Sequence, residues 1–227
     1  TKDGTEPVLM KQTGIIEKDA IIGDIVANVI AKPSFNSGET DIMGSVCRLL
    51  IKRELLENEN IWFDKEVAFM EDLLVCVESF LKSERIAIDA GTHYHYRVHE
   101  SSVVNSYKKA FHERQIHAFR KLQALLEREG KADELAQRLD MRYIIIALLS
   151  LANEAHKSNP QPMGVKIKTI TAILKDPALK AILTRLDLSE AESRKKLELT
   201  LMKKEASVAL YLYYSLFKRI KAALGKG

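Results

Sequence analysis

Apolar residues recur along this chain at two different periods, and the changes of period divide it into elements. Between 17 and 31, Ile21, Ile22, Ile25, Val26, Val29 and Ile30 share one helical face, with Asp19 near the start and Lys32-Pro33 as the stop. A polar loop, PSFNSGETD at 33–41, leads to an apolar run at 45–51 that is short enough to be a strand. Residues 52–56 supply one or two helical turns and Asn58-Glu59-Asn60 reverses the chain. Residues 61–63 then read as extended, with Trp62 as a core anchor. Helical spacing returns with Leu73, Leu74, Val77, Phe80 and Leu81, directly behind the acidic pair Glu71-Asp72. After Lys82-Ser83 the period falls to two. Ile86 and Ile88 alternate with Ala87 and Asp89, which predicts a short strand. Beyond Gly91-Thr92, Tyr94, Tyr96 and Val98 alternate with His93, His95, Arg97 and His99, so one face is apolar and the other carries rings and a guanidinium.

From 107 onward the pattern is helical. Tyr107, Phe111, Ala118, Leu122 and Leu125 line one side of a helix that Gly130 ends. The next helix, 132–157, is almost continuously apolar from 143 to 151, which implies burial on more than one side. SNPQP at 158–162 is the clearest break. Helices follow at 165–175 and 178–186, the latter behind Asp176-Pro177 in cap and first-turn positions. Ser189-Glu190-Ala191-Glu192 reads as a capping box that opens a last helix running to about 224.

Composition narrows the function classes. The 227 residues are 46% hydrophobic and 29% charged, an ordinary globular balance that can bury a core. A net charge of +4 is too small over this length to argue for nucleic acid, and no zinc spacing or basic-aromatic signature accompanies it. Cys47 and Cys76 lie in apolar patterns, where a buried free thiol and a reducing compartment are the simplest reading. No internal repeat is present.

In order, the acid pair, apolar helix, short strand, Tyr-rich segment and Arg-x-His-x-x-Ser resemble the back half of the catalytic domain of family 2 glycosyltransferases. These GT-A enzymes transfer a sugar from a nucleotide-sugar. The matching residues are Met70-Glu71-Asp72, Tyr94-His95-Tyr96-Arg97 and Ser101-Ser102, with the approach at 44–63 (GSVCRLLIKRELLENENIWF) similar as well. It is the joint order and spacing that is specific.

The resemblance implies an α/β remnant of a GT-A domain at 1–106, on the acceptor side, followed by a helical extension at 107–227, predominantly α overall. It implies Asp72 as the base, Glu71 beside it positioning the acceptor or a mobile loop at 35–40, and Arg97 meeting the diphosphate as a cation; His99, on the same polar strand face, would meet it as hydrogen-bond donor or metal ligand. The partners expected are a nucleotide-sugar and a glycan or lipid-linked acceptor, with no nucleic acid. A divalent metal, Mg or Mn, is the expected cofactor, but the Asp-x-Asp pair that would hold it is not found in this sequence. Nor is the opening strand ending in Pro-x-Tyr-Asn. The expectation is therefore a fragment cut after the nucleotide-binding half, inactive alone, cytoplasmic or at the inner face of the plasma membrane.

Each motif also has a plainer structural account. Glu71 and Asp72 would complement the positive end of any helix. His93 and His95 suit a solvated strand face, and a zinc site there needs a ligand from elsewhere. Lys52-Arg53 suits a surface helix start, and Ser101-Ser102 a helix cap. The stretch 206–217 is apolar nearly all round with basic flanks; too short to span a bilayer, it can lie at an anionic membrane surface or close the helical extension. The competing functional class is a non-catalytic helical module that binds a partner or a membrane. A glycoside hydrolase fits less well, because neighbouring acids on a helix point apart.

Overall fold

A computed structural model describes residues 13–35, 42, 44–89, 91, 93–94, 106–189 and 191–223, the side chains of 217–223 excepted. The fold is predominantly helical with one two-stranded sheet among the described residues. The chain divides into two compact units: Thr1–Ser34 with Gly38–His99 and Arg114–Arg142, and Phe35–Ser37 with Glu100–Glu113 and Tyr143–Gly227.

In the first unit, β1 (Gly14–Glu17) pairs antiparallel with β2 (Arg85–Ile88), Gly14 opposite Ile88 and Glu17 opposite Arg85. Strand β1 has no counterpart in the sequence reading, because its partner lies some seventy residues away. It runs into α1 (Lys18–Ala20), a π-helical segment Ile21–Val26 and α2 (Ala27–Ile30), which together are the helix that the apolar face predicts. Its buried residues are Ile21, Ile25, Val26, Ala27, Val29 and Ile30. The π segment widens the helix, and the Asn28 amide donates to the carbonyls of Asp24 (3.0 Å) and Gly23 (3.4 Å).

At the C-terminal end of α2, Arg142 donates to the carbonyls of Ile30 and Val29, and Arg138 to that of Ala31 at 2.9 Å. Carbonyls at a helix end have no intrahelical partner, and cations are favoured there. These two arginines satisfy them. The expected strand at 45–51 is instead a 3-10 turn, Val46–Arg48, followed by extended chain in which Leu50 is fully exposed. No second strand runs beside it among the described residues, and without one an apolar run gains nothing from strand geometry.

Helix α3 (Arg53–Asn58) ends at Asn60, whose φ of 53° lets Ile61 N–H reach back to the Leu56 carbonyl at 2.9 Å. Ile61 is buried, whereas Trp62 is 64% exposed, its indole N–H bonded to Asn60 Oδ1 at 2.9 Å. Trp62 is therefore not the core anchor; Ile61 is. Helix α4 (Glu71–Lys82) buries Leu73, Val75, Cys76, Val77 and Phe80. Its far end is tied to α5 (Phe111–Arg128) through Lys82–Glu129 at 2.8 Å and the Arg128–Glu78 pair. Gly130, at φ 66°, ends α5 with Lys131 N–H on the Leu126 carbonyl at 2.8 Å.

In the second unit the core comes from α6 (Ala136–Glu154) from Tyr143 onward, α7 (Met163–Leu174), α8 (Pro177–Arg185), α9 (Ser193–Lys203) and α10 (Ser207–Ala223). Ile144, Ile146, Ala147 and Leu151 of α6 are fully buried, as the continuous apolar run predicts, and Asp176 caps α8 by accepting from Leu179 N–H at 2.8 Å. The single last helix of the sequence reading is two helices. α9 stops at Glu205, a left-handed residue at φ 50°, and Ala206 N–H bonds the Leu201 carbonyl at 3.0 Å before α10 begins. Nor does the expected capping box form, since α9 starts at Glu192 without a side-chain cap.

Two titratable groups, the buried Glu154 and the half-buried His112, give this unit opposing pH dependences. Glu154 is 7% exposed and accepts from Asn159 Nδ2 (3.2 Å) and Asn153 Nδ2 (3.4 Å). Burial outweighs those bonds and holds its carboxyl above the usual 4.5. The protonated form is favoured in the native state, so its contribution is complete below about pH 4.5 and is lost as pH rises through the raised value. His112, against Ser150 Oγ at 3.1 Å, is pushed below its usual 6.5 by burial. Its contribution is present above 6.5 and is lost as pH falls. Glu154→Gln should remove only the first. The urea midpoint of that variant is expected to rise more steeply than that of the unmodified chain between about pH 5 and about pH 7.

Candidate functional site

The acid pair stands at the head of α4, behind Met70, whose φ of 64° and ψ of 14° put a non-glycine residue in the left-handed region. Such a conformation costs of order 1–3 kcal/mol and persists only where its surroundings hold it. Asp72 is half-buried. Its Oδ2 accepts from Ser45 Oγ at 3.3 Å and from Val46 N–H at 3.4 Å, so the turn at 46–48 and the helix start hold one carboxylate between them. Gly44 makes this approach feasible: a Cβ there would lie 2.6 Å from Leu73 Cδ1, 3.3 Å from Leu73 Cα and 3.3 Å from Val29 Cγ1. Glu71, also half-buried, is the neighbouring first-turn acid.

Ser45, Val46 and Gly44 were not singled out in the sequence. A strand reading of 45–51 gives its backbone N–H groups to a neighbouring strand, not to a carboxylate. Arg97 and His99, with His95, Tyr96, Ser101 and Ser102, lie outside the described residues. His93 is within them and pairs with Asp89 Oδ2 at 3.1 Å in solvent. Asp89 is held below the usual carboxylate range by the Gly91 N–H and then by His93.

One turn below Asp72, Cys76 is buried and its thiol is pushed up to about 12, first by burial and then by the Asp72 charge. Cys47, beside the Val46 N–H donor, is exposed, contrary to its expected burial in a strand. A thiol reagent at about pH 8 should therefore modify one cysteine per folded chain, Cys47, and the second only in denaturant. Peptide mass mapping of the labelled protein checks this.

Among the described residues no three His, Cys, Asp or Glu side chains are placed to hold a metal ion. The site at Asp72 does not fit a divalent cation either, because the groups converging on it are hydrogen-bond donors. A cavity of the first unit, about 330 Å³ and lined by Lys18, Ile22, Phe80, Leu81 and Glu129 among others, is at the opposite end of α4. Phe80 is eight residues, or about 12 Å along the helix, from Asp72. No helix among the described residues is long and apolar enough to cross a membrane.

The chain matches no protein-family model and no solved structure. It is 22% identical over 167 residues to a Bacillus subtilis (strain 168) protein named "Putative glycosyltransferase EpsH". The match covers 73% of this chain and 48% of the relative, so the chain spans about half the length of that protein. A continuous match of that extent in 227 residues takes in the stretch around Asp72 and Arg97 wherever it begins. The chain is thus similar, distantly, to a protein named as a glycosyltransferase.

Proposed function

We propose that this chain is the acceptor-side part of a family 2 type, inverting glycosyltransferase in which Asp72 is the catalytic base. The acceptor hydroxyl attacks the anomeric carbon of a nucleoside-diphosphate sugar, and the new C–O bond forms as the bond to the diphosphate breaks. The hydroxyl proton passes to the Asp72 carboxylate and the nucleoside diphosphate leaves. Glu71 positions the acceptor, and Arg97 and His99 meet the departing diphosphate as cation and hydrogen-bond donor. Mg or Mn, when bound, supplies positive charge to that diphosphate. Its ligands belong to a nucleotide-binding half of the enzyme, without which this chain is inactive.

The observation that carries the reading is the setting of Asp72. Its Oδ2 accepts from two donors of the 45–46 segment, at 3.3 and 3.4 Å, and the residue is half-buried. Those donors come from 27 and 26 residues away in sequence, and a helix start in need only of a favourable charge requires no such partners. The distant similarity to a protein named as a glycosyltransferase supports the same reading. A second reading, a non-catalytic helical module, draws on the cavity lying away from Asp72. Sugar transfer by Asp72→Asn and by the unmodified protein, assayed in the enzyme with its nucleotide-binding half, separates the two. Unchanged transfer by a folded variant removes the base assignment.

A further inference from the structure

The second unit carries an apolar surface and a charge excess on the same pair of helices. On α10, Val208, Leu212 and Leu216 are 51, 44 and 51% exposed. At 100° per residue they lie within an arc of about 80°. Leu210, on the other side, is fully buried where α10 packs on α7 and α9. The exposed residues are thus a stripe, not scattered single side chains, and a stripe is what calls for an explanation.

Charge identifies its occupant. Residues 193–227 contain nine Lys and Arg against two acids, whereas the whole chain has 35 against 31, so its positive excess lies in this segment. Both acids are engaged by cations, Glu198 by Lys195 at 2.6 Å and Glu205 by Lys180 at 2.6 Å. Arg194, Lys196, Lys203 and Lys204 of α9 and its end are exposed, and Lys218, Arg219 and Lys221 follow the stripe in sequence. A second copy of the same helices would set like charges against each other. A negatively charged lipid surface would meet the cations with its headgroups and take the Val208, Leu212 and Leu216 side chains at the headgroup–acyl boundary. At seventeen residues and with three cations of its own, α10 is suited to lie in that boundary and not to cross it.

We propose that α9 and α10 form a docking surface for anionic membrane, with Val208, Leu212 and Leu216 as the inserted residues. This stands apart from the chemistry assigned to Asp72. The test is co-sedimentation of the 227-residue chain with vesicles of phosphatidylcholine alone and of phosphatidylcholine with about one third phosphatidylglycerol. Binding is expected to the mixed vesicles, at least tenfold stronger than to the neutral ones and weakened by about 0.5 M salt. Leu212→Glu with Leu216→Glu should reduce it at least tenfold, and Lys196→Glu with Lys204→Glu should do so for anionic vesicles. Circular dichroism of each variant establishes that it is folded.

A second measurement does not depend on loss of binding. In a Trp62→Phe background, Leu212→Trp should show a blue-shifted emission on adding mixed vesicles and none on adding neutral ones. Equal binding to both vesicle types, or a tryptophan at 212 that stays in water while the chain is bound, overturns the proposal. So does a dimer in analytical ultracentrifugation that Leu212→Glu with Leu216→Glu dissolves, with no vesicle binding by the unmodified chain.

Discussion

Asp72→Asn, in the enzyme with its nucleotide-binding half, is expected to lower kcat for sugar transfer about 100- to 10,000-fold, the range that a positioned general base supplies. The substitution is informative because of what it leaves in place. Asparagine keeps an oxygen that can accept from Ser45 Oγ and Val46 N–H, so the junction between the 3-10 turn and α4 survives. What it removes is the negative charge and the ability to hold a proton. If Asp72 only complements the helix end, losing its charge costs about 0.3–1 kcal/mol of stability and nothing in turnover. If it is the base, stability changes by that same small amount while kcat collapses. Glu71→Gln supplies the contrast. A residue that positions the acceptor without taking its proton should raise KM more than it lowers kcat. Initial rates at varied acceptor concentration, beside urea midpoints for each variant, read both quantities.

How legible all this is in the sequence depends on where the determining contact lies. Helices with an uninterrupted apolar face, such as 21–30, 73–81 and the run through 143–151, can be read directly, because the face that packs is written at regular spacing. Helix ends are legible only when the residue type advertises the geometry. Three helices end alike, with a left-handed residue followed by an N–H reaching back five positions: Asn60 with Ile61, Gly130 with Lys131 and Glu205 with Ala206. Glycine and asparagine are the residues that favour this conformation, and there the sequence shows a stop. Glu205 gives no such sign. At that break Glu205 pairs with Lys180 at 2.6 Å and α10 packs on α7 and α9, contacts that the residue types do not advertise.

The candidate site was half legible for the same reason. The acid pair is visible because a local rule places acids at helix starts. Its partners Ser45 and Val46 are 27 and 26 residues away in sequence, and no periodicity connects them. Strand β1 was hidden likewise, since four residues gain strand geometry only by pairing with β2. Trp62 shows the converse error. Its size suggested burial, but Ile61 already fills the interior at that turn, and successive residues of an extended chain face opposite ways.

Gly44→Val should both destabilise the chain and slow transfer, and the pairing of those effects bears on the site more directly than either alone. A side chain at 44 meets Leu73 at its Cδ1 and its Cα and Val29 at its Cγ1, at separations of 2.6, 3.3 and 3.3 Å from the first carbon. Leu73 is 4% exposed and Val29 fully buried, so neither can swing into solvent to make room. The relief has to come from the backbone. Either the 44–46 segment lifts from α4, or the start of α4 moves away from α2. Overpacking of this kind costs about 1–3 kcal/mol, and valine, with two further methyl carbons, belongs at the upper end. Whichever part yields, Ser45 Oγ and Val46 N–H leave a carboxylate that they now reach at 3.3 and 3.4 Å, near the limit of a useful hydrogen bond. A fall in the urea midpoint with a loss of kcat that persists where the variant is fully folded is the expected outcome. A destabilised variant with normal turnover below its unfolding transition would mean that the hold on Asp72 has no part in the reaction.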